Sequence, residues 1–377
     1  MPEETLKIGF IGGALDSAVG YTHFSACRMD HRWELVAGAF SRVKEMNEQT
    51  GLAYGVSSER VYSSWLEMLH EEASRLDAVA ILTPTVQHSE MVKECLRSHI
   101  PVICEKSLVT TVREAEEIQA VSRETNGFLA LIYNYSGYPM VRELRSLIRR
   151  GVLGKILHFQ AEMPQEGFIR TDCAGNKPRP QSWRMQDGEI PIIHLDLGSH
   201  LHELIYYLTE AHPVRVTADQ DSWGWFRQVV DNVCCLCRYT EGIQGQMWFS
   251  KSALGYRNGL RLRIYGEKAG AEWYQANPEE LLLNFADGRR LIMDRGADSA
   301  VAGSRRYTRF KAGHPAGFVE AMANLYGDIA DGLIEYGKNG TIRSDEFFSV
   351  DLALEGLRFL DAMAKSAGSG KWESVTR

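Results

Sequence analysis

The sequence predicts an α/β chain followed by an α+β one: a Rossmann-like, doubly wound parallel sheet, then a mixed or antiparallel open-faced sheet flanked by helices. Three observations carry this. Short apolar runs alternate with amphipathic helical stretches as far as residue 134. From residue 135 onward the apolar residues recur with a period of two, the mark of strands with one buried face. A chain of 377 residues also exceeds one ordinary core, so we divide it into domains at 1–134 and 135–377.

The elements follow in order. Leu6–Ile11 is apolar and ends in glycines, Trp33–Phe40 is the second strand, and Ala78–Leu82, Val102–Cys104 and Leu129–Tyr133 complete the first sheet. Ser64–Ser74, Ser89–Ser98 and Thr111–Thr125 are the clearest intervening helices. In the second domain Pro139–Arg150 is helical, and strands are expected at Ile156–Met163, Val214–Asp221, Asn232–Tyr239 and Gln244–Ser250. In the strand around 260–265, Leu260, Leu262 and Ile264 face one side while Arg261, Arg263 and Tyr265 face the other, and Gly266 to Gly270 reads as a hairpin turn. Thr171–Pro180 is the one long loop, and the tail is helical over Ala316–Tyr336 and Phe347–Ser366.

Composition narrows the class. Hydrophobic residues at 44% and charged residues at 24% are an ordinary globular balance. The net charge of −7 comes without any basic block, which argues against nucleic acid as a partner. No apolar run reaches membrane-spanning length, and the acidic start Met-Pro-Glu-Glu-Thr does not resemble a signal peptide. Seven cysteines are an odd number and most lie in apolar elements, so they read as reduced packing thiols of a cytoplasmic protein. Cys234, Cys235 and Cys237 share a strand on which neighbours face opposite sides, which argues against a tetrahedral metal site.

The ends of the first four strands carry the chemistry of the first domain. Gly12, Gly13 and Ala14 close the first strand, where glycines allow a tight turn and close approach of a pyrophosphate to a helix N-terminus. The strict G-x-G-x-x-G spacing is not met, because Gly12 and Gly13 are adjacent and the next glycine is Gly20. After the second strand an acidic residue would hydrogen-bond a ribose 2′-hydroxyl; Ser41 and Arg42 stand there instead and suit a 2′-phosphate, favouring NADP(H) over NAD(H). Thr83 and Pro84 end the third strand where they can pack along a cofactor, and His88 beyond them either caps a helix or touches the ligand. Glu105-Lys106 closes the fourth strand, where open α/β sheets bind ligands.

The densest titratable cluster is His194-Leu-Asp196-Leu-Gly-Ser-His200-Leu-His202-Glu203. On a helix Asp196 and His200 share a face, and a carboxylate beside an imidazole prepares a general base. A polar helix start with satisfied histidines fits the same residues. A metal set fits less well, because the spacing is not H-E-x-x-H, and no metal is assigned.

Taken together, the glycine turn, Thr83-Pro84 with His88 downstream, and Glu105-Lys106 resemble the Gfo/Idh/MocA oxidoreductases. Gly154-Lys155-Ile156, Asp196-x-Gly198-x-His200 and Gly313-His314-Pro315 extend the resemblance over nearly the whole chain. Asn134 matches a family asparagine at the cofactor; Ser107 stands where the family usually has proline, and Ser136 where it usually has arginine. The resemblance implies that Lys106, Asp196 and His200 are catalytic in hydride transfer between nicotinamide and a secondary alcohol or ketone of a sugar, cyclitol or sugar derivative. His200 would be the base, Lys106 would hold the oxygen, and Asp196 would orient His200 or the substrate. Tyr135, Gln165, Trp183, Arg184 and His314 are the further substrate-facing candidates, with Lys106 and His200. Arg261 and Arg263 suit an anionic substrate or a subunit interface, and the resemblance implies a homodimer or homotetramer through the second sheet. Two alternatives stay in view: a redox-neutral NAD-dependent glycosidase or lyase, and a non-catalytic dinucleotide sensor of the same fold.

Overall fold

The computed structural model describes residues 5–342 and 344–376, so the acidic start at Met1–Glu4, Arg343 and Arg377 lie outside the described residues. The alternating series consists of β1 (Leu6–Gly12), α1 (Gly20–Arg28), β2 (Trp33–Ala39), α2 (Lys44–Tyr54), α3 (Trp65–Glu72), β3 (Ala78–Leu82), α4 (His88–Arg97), β4 (Val102–Glu105), α5 (Val112–Thr125) and β5 (Leu129–Ile132). Next come α6 (Pro139–Arg149), β6 (Ile156–Pro164), α7 (Ser199–Thr209), β7 (Pro213–Asp221), β8 (Asn232–Tyr239) and β9 (Gln244–Ser250). The strands β10 (Arg261–Gly266), β11 (Ala269–Tyr274), β12 (Asn277–Phe285) and β13 (Arg290–Met293) lead to α8 (Phe318–Asn339), α9 (Val350–Ser369) and β14 (Glu373–Ser374). Among the described residues no helix is long and apolar enough to cross a membrane.

The chain divides into two compact units, Met1–Gly137 with Phe318–Leu354, and Tyr138–Gly317 with Glu355–Arg377. This departs from the expected division at residue 134, because α8 returns to the first unit. Its apolar stripe of Met322, Leu325, Ile329 and Leu333 joins Ile8, Phe10, Ala80 and Ile103 in one core. Trp33 Nε1–H donates to the Tyr326 carbonyl at 2.9 Å, and Arg32 meets Asp331 at 2.7 Å, adding directional ties to that packing. Periodicity announces such an amphipathic helix but not the sheet it covers.

In the first unit five parallel strands run in the order β2-β1-β3-β4-β5. β3 is buried along its whole length, as expected of a parallel strand covered on both faces. Local chemistry sets the helix ends: Ser64 caps α3 by accepting the Glu67 N–H, and Thr111 with Glu114 forms a capping box on α5. Gly55 and Asn126 end α2 and α5 in the left-handed conformation. The strand order reverses at β1, which has β2 on one side and β3 on the other, so the crevice at their carboxyl ends is a topological switch point.

In the second unit nine strands run β13-β12-β11-β10-β6-β9-β8-β7-β14, with β6 and β9 parallel and the other pairs antiparallel. One face packs on helices: Phe249 lies against His194 and Gly198, and Tyr239 against Phe359 of α9. On β10 Leu262 and Ile264 are fully buried while Arg261 and Arg263 are partly exposed on the other face, as the alternation predicts. The register sets Glu272, Arg263, Gln160, Gln246, Leu236 and Thr217 in one row across six strands of that face. Arg263 pairs with Glu162 at 3.1 Å and Glu272 at 3.4 Å, and Arg261 with Glu272 at 3.4 Å. These two arginines are therefore charge-paired across strands, which lowers the net charge they offer an anionic substrate. β12, β13 and β14 were not expected: β13 is mostly exposed and β14 is two residues long, so neither has a periodic apolar signal.

Candidate active site

Every first-unit cofactor candidate except His88 lies at or just beyond the carboxyl end of a strand. Gly12 ends β1 and Gly13 follows it, with φ of 81° and 75°, a conformation that glycine adopts without strain. A Cβ on Gly12 would come within 2.9 Å of Thr83 Cγ2, so the turns after β1 and β3 touch at the switch point. A Cβ on Gly20 would lie 2.1 Å from the Gly13 carbonyl oxygen, so the start of α1 packs directly on that turn. Ala14 is buried, and its carbonyl accepts the Ser17 N–H at 2.8 Å. Pro84 opens a short 3-10 turn through Gln87 N–H to its carbonyl, and Thr83 Oγ1 meets Met91 Sδ at 3.5 Å.

Ser41 and Arg42 follow β2. The Ser41 hydroxyl accepts the Val43 N–H at 3.1 Å, while Arg42 is exposed. Asn134 follows β5 and is buried, and its Nδ2 has no hydrogen-bond partner among the described residues. A buried amide N–H₂ left this way is costly unless something binds it. The tight glycine turn at the switch point and this amide together fit a dinucleotide. Tyr135, beside Asn134, is also buried and stacks edge-on to Phe318 with centroids 6.5 Å apart.

Two candidates turn out to be braces. His88 is fully buried, with Nε2 2.8 Å from the Thr83 carbonyl and Nδ1 3.1 Å from those of Ser107 and Leu108. Burial pushes its imidazole below the ordinary range. Both ring nitrogens face backbone carbonyls, so His88 ties the ends of β3 and β4 together and is not placed as a cofactor ligand. Glu105 is likewise engaged by protein: Oε1 is 2.8 Å from His23 Nε2, and Oε2 accepts the Lys106 N–H at 3.1 Å. Lys106 follows at the strand end, half-buried, and its peptide bond to Ser107 is cis.

The second-unit cluster is built at the start of α7. His194–Gly198 forms one π-helical turn that runs into the α-helix, a local irregularity frequent at functional sites. Asp196 lies in that turn and is 9% exposed; His200, in the first turn of α7, is 6% exposed. The Asp196 Oδ2 accepts a hydrogen bond from Arg184 Nη1 and lies 2.6 Å from Lys251 Nζ. Arg184 lies over the Trp183 ring at 4.3 Å, and Lys251 lies 5.4 Å from the Phe168 ring centroid. The carboxylate expected to orient His200 is thus anchored by two cations, and Arg184 and Asp196 are brought together. His194 and His202 are core residues: His194 meets Gln220 at 2.8 Å and His202 meets the Tyr239 hydroxyl at 3.2 Å. Burial pushes their imidazoles down to about 4 and about 3.

The remaining candidates are more dispersed. Gln165 donates to Asn258 Oδ1 at 3.2 Å, and Trp183 Nε1–H donates to Gln181 at 3.1 Å. The His314 side chain is exposed, and its carbonyl accepts from Arg295 at 2.6 Å. Among the described residues no three His, Cys, Asp or Glu side chains are grouped so as to hold a metal ion. Sequence reasoning missed Lys251 and His23. Lys251 directly follows the apolar end of β9, as Lys106 follows β4, and the same rule would have found it. His23 lies on the buried stripe of α1 with Gly20, Ala26 and Cys27, where a polar residue is itself a signal.

Comparison with known proteins is consistent with both halves of this picture. Residues 6–133 match the model of the oxidoreductase family with an NAD-binding Rossmann fold, and residues 141–272 match the GFO/IDH/MocA C-terminal domain. The uncharacterized oxidoreductase YfiI of Bacillus subtilis (strain 168) is 31% identical over 97% of this chain and 95% of its own. Levoglucosan dehydrogenase of Pseudarthrobacter phenanthrenivorans is 23% identical over 75% of this chain and 77% of its own. Among solved structures, an inositol dehydrogenase homolog from Azotobacter vinelandii complexed with NAD+ superimposes with a TM-score of 0.88 at 26% identity, covering 98% of this chain and 97% of that one.

Proposed function

We propose, starting from a chain that belongs to the Gfo/Idh/MocA oxidoreductase family and carries an NAD-binding Rossmann domain, that it is a dehydrogenase or reductase acting on a secondary alcohol or ketone of a sugar, cyclitol or sugar derivative. The observation that supports this most is the anchored Asp196 in the helical run that carries His200, together with Lys106 at the end of β4. A dinucleotide sensor has no need of a buried imidazole and a carboxylate held by two cations. The named relatives, levoglucosan dehydrogenase and an inositol dehydrogenase homolog, support a polyhydroxylated substrate.

When bound, the nicotinamide supplies the hydride acceptor for oxidation or the donor for reduction. Gly12, Gly13, Thr83 and Asn134 are the residues that hold the dinucleotide. In the oxidation direction an imidazole nitrogen of His200 takes the hydroxyl proton, and Lys106 Nζ–H donates to a substrate oxygen and stabilises charge developing there. Asp196, held by Arg184 and Lys251, sets the field and geometry around His200. Arg42 supports NADP(H) over NAD(H), since a guanidinium after β2 suits a 2′-phosphate and no carboxylate stands in its place. Exposed Leu236 in the cross-strand row supports a homodimer or homotetramer through the second sheet's open face. All seven cysteines are free thiols, which supports a cytoplasmic setting.

The test is a panel of sugars, cyclitols and their derivatives, followed at the reduced-nicotinamide absorbance band. Lys106→Ala and His200→Ala are each expected to lower kcat by about 10²–10⁴-fold. Turnover at the parent rate in both variants would overturn the assignment. Product formed without net absorbance change would favour the redox-neutral alternative instead.

A further inference from the structure

We infer that His23 and Tyr326 form with Glu105 a hydrogen-bonded relay that positions Lys106, and that both are positioning residues for the proposed hydride transfer. The inference rests on the reading of Lys106 as a group that acts on the substrate oxygen. His23 is fully buried on α1, with Nε2 2.8 Å from Glu105 Oε1 and Nδ1 2.8 Å from the Tyr326 hydroxyl. Glu105 Oε2 then accepts the Lys106 backbone N–H at 3.1 Å.

Chemistry fixes the direction of this chain. A carboxylate only accepts, so the hydrogen between His23 and Glu105 sits on Nε2. Burial holds the Tyr326 phenol far above its ordinary range, so it keeps its proton, and its described partner is His23 Nδ1. With the phenol as donor, the relay runs from the Tyr326 O–H to Nδ1 and from the Nε2–H to Glu105, which is the Nε2–H tautomer. Holding α8 in place does not require it. Tyr326 already anchors the helix by its carbonyl to Trp33, Arg32 meets Asp331, and Met322, Leu325 and Ile329 lie in the core. A buried imidazole and phenol in line with a part-buried carboxylate cost desolvation that an apolar trio would avoid. What they add is a fixed carboxylate at the residue before Lys106.

The test uses His23→Leu, which removes the donor to Glu105; His23→Gln, whose amide restores an N–H near the Nε2 position; and Tyr326→Phe, which keeps the ring. In His23→Leu, kcat is expected to fall about tenfold or more, the effect of one lost hydrogen bond to a charged group. Dinucleotide affinity, read by fluorescence, and the KM for the sugar stay within about threefold. His23→Gln recovers most of the loss, and Tyr326→Phe falls between. In the protein without cofactor, nitrogen-15 NMR should show His23 as the Nε2–H tautomer. Amide hydrogen exchange at Lys106 should quicken in His23→Leu and Tyr326→Phe, while the amides of Ile103 and Cys104 keep their protection. An Nδ1–H tautomer, or Lys106 exchange unchanged in both variants, overturns the relay. So does parent kcat in His23→Leu when Lys106→Ala abolishes turnover. Parent turnover in Lys106→Ala overturns the functional reading, and with it the relay's catalytic role.

Discussion

A single buried lysine separates the observed site from the one that sequence motifs describe. Lys251 is 8% exposed, and Asp196 holds its charge beside that of Arg184. Removing one partner of a buried ion pair costs about 3–5 kcal/mol where the other is left uncompensated, and the retained Arg184 keeps Asp196 paired, so the cost falls below that range. Lys251→Met is therefore expected to lower stability, read from the denaturant midpoint, by about 1.5–3 kcal/mol, one hydrogen bond to a charged group, and to reduce kcat with it. A midpoint equal to the parent's would show that Arg184 alone suffices. Arg42 makes a second prediction at this scale: Arg42→Asp should shift the affinity ratio from NADP(H) toward NAD(H) by about tenfold or more, one charge-assisted hydrogen bond's worth. Titration of both cofactors by nicotinamide fluorescence decides it, and an unchanged ratio rejects the role. Lys106 and the Asp196/His200 pair were legible because their residue types stand at strand ends and helical spacings that chemistry uses. The partners of Asp196 were less so, because Arg184 and Lys251 lie twelve residues before and fifty-five after it.

At the scale of elements, the run from the π-helical turn through α7 carries both chemistry and core. Four histidines of one region divide by burial partner: His200 is the candidate base, His194 and His202 are neutral core groups, and His212 meets Glu355 at 2.8 Å. The depressed imidazoles give stability a pH dependence whose sign can be worked out. In the unfolded chain His194 and His202 titrate near 6.5, while in the fold they titrate at about 4 and about 3. The unfolded state therefore binds more protons throughout that window, and stability is full above 6.5 and is lost as pH falls toward 4. The slope is up to about 1.4 kcal/mol per pH unit for each histidine. Urea unfolding at pH 7 and pH 5 should show the loss, and His202→Leu should make the difference between the two smaller by about one proton's share. An identical difference would mean that His202 does not contribute. The helix itself was legible from its spacing. The π-helical turn was not: a Cβ on its Gly198 would lie 3.1 Å from both Leu360 and Phe249, neighbours from distant segments that local spacing does not record.

At the scale of the whole molecule, the chain leaves the first unit after Gly137 and returns to it at Phe318, so one core is assembled from segments almost two hundred residues apart. Tyr326 meets His23 across a sequence separation of 303. The second unit presents an open sheet face with Arg–Glu pairs at one end and Leu236, 51% exposed, near the other. If that face joins copies of the chain, Leu236→Glu should lower the mass observed by analytical ultracentrifugation, with the melting profile of each unit retained. A parent chain that sediments as a monomer at micromolar concentration would end that reading.

The family resemblance joined Lys106, Asp196 and His200 as candidate catalytic residues, whereas the α/β alternation, most strands of the second sheet, the glycine turn and the strand-end charge followed from sequence pattern alone. Each rests on short-range pattern: period two against period 3.6, glycine at a turn, a charge at the end of an apolar strand. The tertiary structure alone decided that α8 completes the first unit, that His88 and Glu105 brace the strand ends, and that Arg261 and Arg263 are neutralised across strands. It also decided that Lys251 and Arg184 hold Asp196. Those outcomes depend on which distant groups share one buried volume, where a charge or a donor must find a partner, and residue spacing carries no record of that.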